Sequence, residues 1–145
     1  MVQKGSDAMG RVTVDVKLSN IEDHILAARG HLPPDKVREV TIRGIVDTGA
    51  AMLVLPESVV QLLGFPKNGE ATARFADPRA ATRDVVENVV IEIQGRRRTM
   101  DAIVEPGRTD ALIGAIVLEA MDMLVDCRTQ TLNPRDPDRI IAEIE

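Results

Sequence analysis

The sequence predicts an all-β, mainly antiparallel fold, a closed β-barrel-like arrangement with two or three short helices in one domain. Three observations carry that prediction. Short apolar runs with period-two alternation recur along the chain, Pro, Gly, Asn and Asp punctuate them, and no β-α-β rhythm links them. At 145 residues the chain is of single-domain length, with room for one sizeable core. Phe65 and Phe75 are its only aromatic residues, so that core must be assembled from Val, Ile, Leu, Met and Ala.

Residues 1–10 are polar, lack a hydrophobic signal core and read as a flexible leader; the domain is expected over 11–133. Val12, Val14, Val16 and Leu18 alternate with Thr13, Asp15 and Lys17, as in a strand with one face in the core. Asn20 is placed to cap a helix from Ile21 to about Arg29, with Gly30 as its stop and Pro33 and Pro34 barring continuation. A second strand over 38–46 leads to Asp47-Thr48-Gly49-Ala50, and a third covers Met52 to Leu55. Pro56 at a first helical position and Glu57 near the N-terminus open a short helix with Val59, Val60, Leu62 and Leu63 as its apolar face and Gly64 as its end.

Two hairpins follow in this reading. Ala71 to Phe75 and Ala81 to Val86 flank Asp77-Pro78-Arg79; Val89 to Ile93 and Arg98 to Val104 flank Gln94-Gly95-Arg96. Leu112-Ile113-Gly114 precedes a helix over 115–121. Met123 to Asp126 and Thr129 to Leu132 are the last strand candidates, and 134–145 is a tail with a short helix expected at its charged end.

Composition narrows the function. A net charge of −5 and the absence of a basic, aromatic-interleaved stretch argue against nucleic acid. The longest apolar run, Ala50 to Leu55, is too short to cross a bilayer, so no membrane partner is expected. Cys127 is alone, which fits a reducing, cytoplasmic compartment, and it has no His partner that would make it a nucleophile. His24 and His31 lack partners at metal-ligand spacing, so neither a metal nor another cofactor is expected. Arg96-Arg97-Arg98 reads as a solvated hairpin tip.

The most informative stretch places a carboxylate, a hydroxyl and a glycine between two β-prone apolar runs. An uncompensated buried charge is costly, so Asp47 is either buried for chemistry or an exposed turn residue. Val46-Asp47-Thr48-Gly49-Ala50, together with the later Leu112-Ile113-Gly114, resembles the retropepsin-like aspartic proteases, and most closely the small prokaryotic retroviral-type members. The resemblance extends over roughly 12–132, with Leu32-Pro33-Pro34 before the motif and Met52-Leu53-Val54-Leu55-Pro56 after it.

That resemblance implies an acid-protease fold and an aspartic endopeptidase that needs no cofactor. Asp47 is implied as the catalytic carboxylate, with Thr48, Gly49 and Ala50 supporting the dyad. Phe75, Ala76, Asp77, Pro78 and Arg79 are implied as the flap, its tip departing from the Asp-Gly common in relatives, and Leu112, Ile113 and Gly114 as the segment packed on the active loop. The chemistry needs two carboxylates sharing a proton, one acting as base on water and the other as acid toward the carbonyl. One Asp-Thr-Gly per chain therefore implies a homodimer acting on an extended peptide or protein substrate. The terminal strands are the implied interface, an internal sheet being their other reading.

Two other classes compete. A dimeric protease-like module that binds peptides with weak or no catalysis would share the fold, because fold does not fix function. Phosphoryl transfer on an Asp-x-Gly loop would need a second nucleotide loop and a longer α/β chain, and neither is present.

Overall fold

A computed structural model describes residues 11–145, so the leader expected over 1–10 lies outside the described residues. In chain order the elements are β1 (Thr13–Asn20), α1 (Ile21–Ala28), a single 3-10 turn (Pro34–Lys36), β2 (Glu39–Val46), β3 (Leu53–Pro56), α2 (Glu57–Leu63), β4 (Lys67–Arg74), β5 (Ala80–Ile93), β6 (Arg96–Glu105), β7 (Ala111–Ile113), α3 (Ala115–Met121), β8 (Met123–Asp126) and β9 (Thr131–Pro134).

Seven strands form one sheet in the order β1-β2-β7-β3-β6-β5-β4, and β1 also pairs with β5. That extra pairing, Lys17–Asn20 against Glu92–Val89, closes six of the strands into a barrel, with β4 outside the ring. The barrel is mixed: β2 runs parallel to β7 and β3 parallel to β6, while the remaining pairs are antiparallel. β8 and β9 form a separate two-stranded sheet.

The alternation read in β1 is physical, because Val14, Val16 and Leu18 are buried while Asp15 and Lys17 are exposed. These valines and leucines join β3, β5, β6, β7, α2 and α3 in one continuous core, with Phe65 its single aromatic member. Each such side chain taken out of water contributes about 1.5–3 kcal/mol.

Buried polar groups are matched. Asn20 caps α1 by accepting from the Glu22 N–H at 2.9 Å, while its amide donates to the Leu63 carbonyl at 2.9 Å, tying the start of one helix to the end of another. Buried Asp23 accepts from the Arg38 backbone at 3.0 Å and from its guanidinium at 2.9 Å twice, so a carboxylate inside α1 is fully engaged.

Several boundaries differ from the sequence reading. Ala81 to Val86 and Val89 to Ile93 are one fourteen-residue strand, β5, interrupted by a bulge where Asn88 adopts φ 72°. Asn tolerates that left-handed geometry, which lets the strand bend without ending. Pro56 is the last residue of β3 and the N-cap of α2 rather than its first helical residue. The second hairpin turns on Gln94 and Gly95 alone, both at positive φ, and Arg96 already belongs to β6.

Arg96 is not a solvated tip. Its guanidinium donates to the carbonyls of Met121 at 2.7 Å, Asp122 at 3.1 Å and Arg139 at 3.0 Å, and to that of Asp136. The helix expected in the tail is absent from 135–145, because its backbone groups are committed elsewhere. Asp122 accepts from the Ile141 N–H at 3.0 Å, Arg135 donates to the Ile141 carbonyl at 3.0 Å, and Arg96 takes the carbonyls of Asp136 and Arg139. Among the described residues, no helix is long and apolar enough to cross a membrane.

Candidate active site

β2 carries the chain to Asp47 between two neighbours, β1 on one side and β7 on the other, with Val46 registered against Ile113. The Asp47 N–H donates to the Ile113 carbonyl at 3.0 Å, so the root of the loop is an extension of the β2–β7 pairing. The chain then turns sharply. The Ala50 N–H donates to the Asp47 carbonyl at 3.1 Å, and the Gly49 N–H donates to the Asp47 Oδ1 at 2.9 Å. This is a side chain folded onto its own backbone two residues on, a habit of Asp in turns.

Helix α3 fixes the far side of the loop. The first N–H groups of a helix have no partner within it. Here the Ala115 N–H donates to the Ala50 carbonyl at 2.8 Å and the Ile116 N–H to the Ala51 carbonyl at 3.0 Å. Gly114 makes this approach feasible: a Cβ on it would stand 2.6, 2.7 and 2.8 Å from the carbonyl oxygens of Met52, Ala51 and Ala50. Ile113 is fully buried beneath the loop, and Leu112, half-buried, pairs with Ile45 on one side and Val54 on the other.

The structure thus brings 47–52 and 112–116 into one rigid constellation. Within it Asp47, Thr48 and Gly49 are exposed in the single chain, and the Thr48 hydroxyl has no hydrogen-bond partner among the described residues.

Two depressions flank this loop. One, of about 440 Å³, is lined by Arg11, Ile45, Val46, Asp47, Arg108 and Leu112. The other, of about 400 Å³, lies between the loop segment 49–52 and the β4 stretch 71–75, with Val54, Ile103, Glu105, Arg108 and Leu112 as its floor and wall. The β4–β5 hairpin therefore overhangs the loop, and its connection over 75–79 carries Phe75, Ala76, Asp77, Pro78 and Arg79. Asp77 accepts from the Arg79 guanidinium and backbone at 2.9 and 3.0 Å, and that hydrogen bonding holds the Asp77 carboxyl below the usual carboxylate range. The Arg79 guanidinium lies 4.6 Å from the Phe75 ring centroid and that of Arg83 at 5.7 Å, so two cations sit over the ring at the tip.

Arg108 and Arg11 are site residues the motif reading does not find. Arg108 lies in the link between β6 and β7, and it lines both depressions. Its signal in the sequence is only positional: a cation just ahead of the Leu-Ile-Gly segment, which must run beside Asp47 once β7 pairs with β2. Among the described residues no group of three or more His, Cys, Asp or Glu is placed to hold a metal ion.

A family model described as aspartyl protease matches residues 34–126, which spans β2, the loop, the hairpins, β7 and α3. The chain belongs to this retropepsin-like aspartyl protease family. The match covers the Asp-Thr-Gly loop and the Leu-Ile-Gly segment together, and the closed, mixed six-stranded barrel is a fold that suits such proteases. No curated protein matches the chain. The family is one of aspartyl proteases, whose activity is peptide-bond hydrolysis, and the matched range includes Asp47.

Proposed function

We propose that this aspartyl protease is an endopeptidase of the retropepsin type, in which Asp47 from each of two copies forms the catalytic dyad. The observation that carries the proposal is the state of Asp47 in one chain. It is an exposed carboxylate on a loop fixed by β7 and α3, and among the described residues the only other acid lining the two depressions, Glu105, is bound by Arg83 at 2.6 Å. A single chain thus presents half of a pair. Ile116, whose N–H anchors the loop, leaves its side chain 49 % exposed beside it, apolar surface of the kind a second copy would cover.

In the pair, two carboxylates at contact hold one proton between them, since both cannot ionise cheaply. The ionised one takes a proton from water as it attacks the carbonyl carbon. The protonated one donates to the carbonyl oxygen, and the amine leaves with a proton as the tetrahedral intermediate collapses. The exposed Thr48 hydroxyl is free to bond across the dyad, and Gly49 keeps its own N–H on Asp47. The β4–β5 hairpin serves as the flap, and substrate lies extended between it and the floor at Ile103 and Leu112. β8 and β9 pair within the chain, and Leu124 on β8 is 56 % exposed, so this sheet offers its outer face to the second copy.

The test is mixing. Asp47→Asn abolishes hydrolysis of a peptide library while sedimentation still shows a dimer. Adding Asp47→Asn to wild type lowers activity below the wild-type content, because mixed dimers carry one competent carboxylate. Activity that tracks wild-type chains alone, or an active monomer, would sink the shared dyad.

A further inference from the structure

We infer that the cleft selects peptides that present a carboxylate beside the bond to be cut, and that Arg108 is the residue that reads it. The inference rests on the endopeptidase proposal for the cutting, but the recognition it describes can be measured without turnover.

Arg108 is half-buried where the two depressions meet, next to Leu112, and lines both. Its side chain makes one hydrogen bond among the described residues, from Nε to the Asp110 carbonyl at 2.8 Å. That bond orients the guanidinium and leaves both terminal nitrogens without a partner among the described residues. The carboxylates nearest in the chain are already taken. Glu105 receives Arg83 through two bonds, at 2.6 and 3.1 Å, and Asp110 receives Arg43 at 3.1 Å.

The same depressions hold two further cations, Arg11 in one and Arg74 in the other, and neither makes an ion pair among the described residues. With Glu105 neutralised, Asp47 is the one acid lining the depressions without an ion pair among the described residues, against Arg11 and Arg108 in its own depression and Arg74 in the other. This local excess of positive charge occurs in a chain whose net charge is −5. The rest of the lining is mostly small or apolar, with Ala71, Ala73, Val54, Ile103 and Phe75 among it. A peptide that covers such a surface strips water from Arg108. A fork of two N–H donors is then satisfied best by a carboxylate, which accepts both, whereas a neutral residue leaves a desolvated charge unpaired.

The carboxylate can come from an Asp or Glu side chain or from the end of a peptide. The experiment compares matched peptides that differ only by Glu against Gln at each position around the cut, each made with a free or an amidated C-terminus. Expected for the full chain is one position at which Glu raises kcat/KM about 10- to 100-fold over Gln, the range of a charge-assisted hydrogen bond against its loss. Arg108→Gln brings that ratio close to one, and Arg108→Lys keeps part of it. Dependence on Glu assigns Arg108 to a side chain; dependence on the free terminus alone assigns it to a chain end, and either upholds the inference. A ratio near one in the wild type, or one that Arg108→Gln does not move, overturns it. Binding of the same labelled peptides to Asp47→Asn separates the two readings. If nothing is ever cut but Glu peptides still bind more tightly than Gln peptides, and Arg108→Gln removes the difference, the endopeptidase proposal fails and the role of Arg108 stands. Equal binding of both peptides with no cutting removes both.

Discussion

The α-carbon of Gly114 lies so close to the Met52 carbonyl that a Cβ on it would stand 2.6 Å from that oxygen, inside any contact a real methyl makes. The Ala51 and Ala50 carbonyls lie at 2.7 and 2.8 Å from the same point, so the clash is with backbone and no rotamer relieves it. Gly114→Ala must therefore push the start of α3 off the loop that carries Asp47. The expected cost is about 1–3 kcal/mol of stability, as for overpacking elsewhere in cores. The informative comparison is between denaturation and turnover: activity falls further than stability, because the bonds from Ala115 and Ile116 that fix the loop lengthen first. Unchanged kcat/KM would mean the loop tolerates that shift.

Acid should weaken the fold through Asp23 and His24. Hydrogen bonds from the Arg38 guanidinium hold the Asp23 carboxyl below its ordinary value. A carboxyl depressed in the folded state contributes stability that is complete above its unfolded pKa, about 3.9, and is lost as pH falls toward and through the folded value. His24 titrates low because of burial and the nearby Arg97 charge, while its ring nitrogen bonds the Ser19 hydroxyl at 2.8 Å. An imidazole depressed in the fold lets the unfolded chain take the proton first, so stability also drops as pH falls below about 6.5. Urea denaturation from pH 8 to pH 3 should show both declines. Asp23→Asn flattens the acid limb and costs about 1–3 kcal/mol at neutral pH, and His24→Gln removes the upper one.

The tail depends on Arg96. Its guanidinium ties carbonyls at the end of α3 to carbonyls of Asp136 and Arg139, and Asp122 holds Arg135 at 2.7 Å and the Ile141 N–H. Arg96→Ala leaves those carbonyls to water and should cost about 1–3 kcal/mol. Limited proteolysis reads the effect directly, with cutting after 134 expected to accelerate well before the barrel is attacked. Equal cutting rates would show that the Asp122 contacts suffice by themselves.

Local chemistry made much of this protein readable. The alternation of β1, the Asn20 cap, the Gly64 stop and the Asp-Thr-Gly turn each act through residues close in sequence, so short patterns reveal them. What stayed hidden depends on distant partners. The parallel pairings of β2 with β7 and β3 with β6 join segments more than forty residues apart, and nothing in either strand names its neighbour. The unity of β5 was masked by Glu87 and Asn88, polar residues that look like a turn but form a bulge. Arg96 resembled a solvent-facing charge because its acceptors, the carbonyls of Met121 and Asp122, come from the end of α3 and the residue after it. Arg108 was invisible for the same reason: its value lies in which carboxylates other arginines have already taken.

The unbroken course of β5 has a mechanical side. At about 3.3 Å per residue, fourteen extended residues reach at most about 45 Å, and the bulge shortens that. Its first half forms the hairpin over the cleft, and its last residues make the seam with β1 that closes the barrel. The overhang and the seam are thus two ends of one strand, with the bulge at Asn88 between them. If the hairpin is the flap proposed above, a substitution at the seam should change how a peptide is held at Phe75.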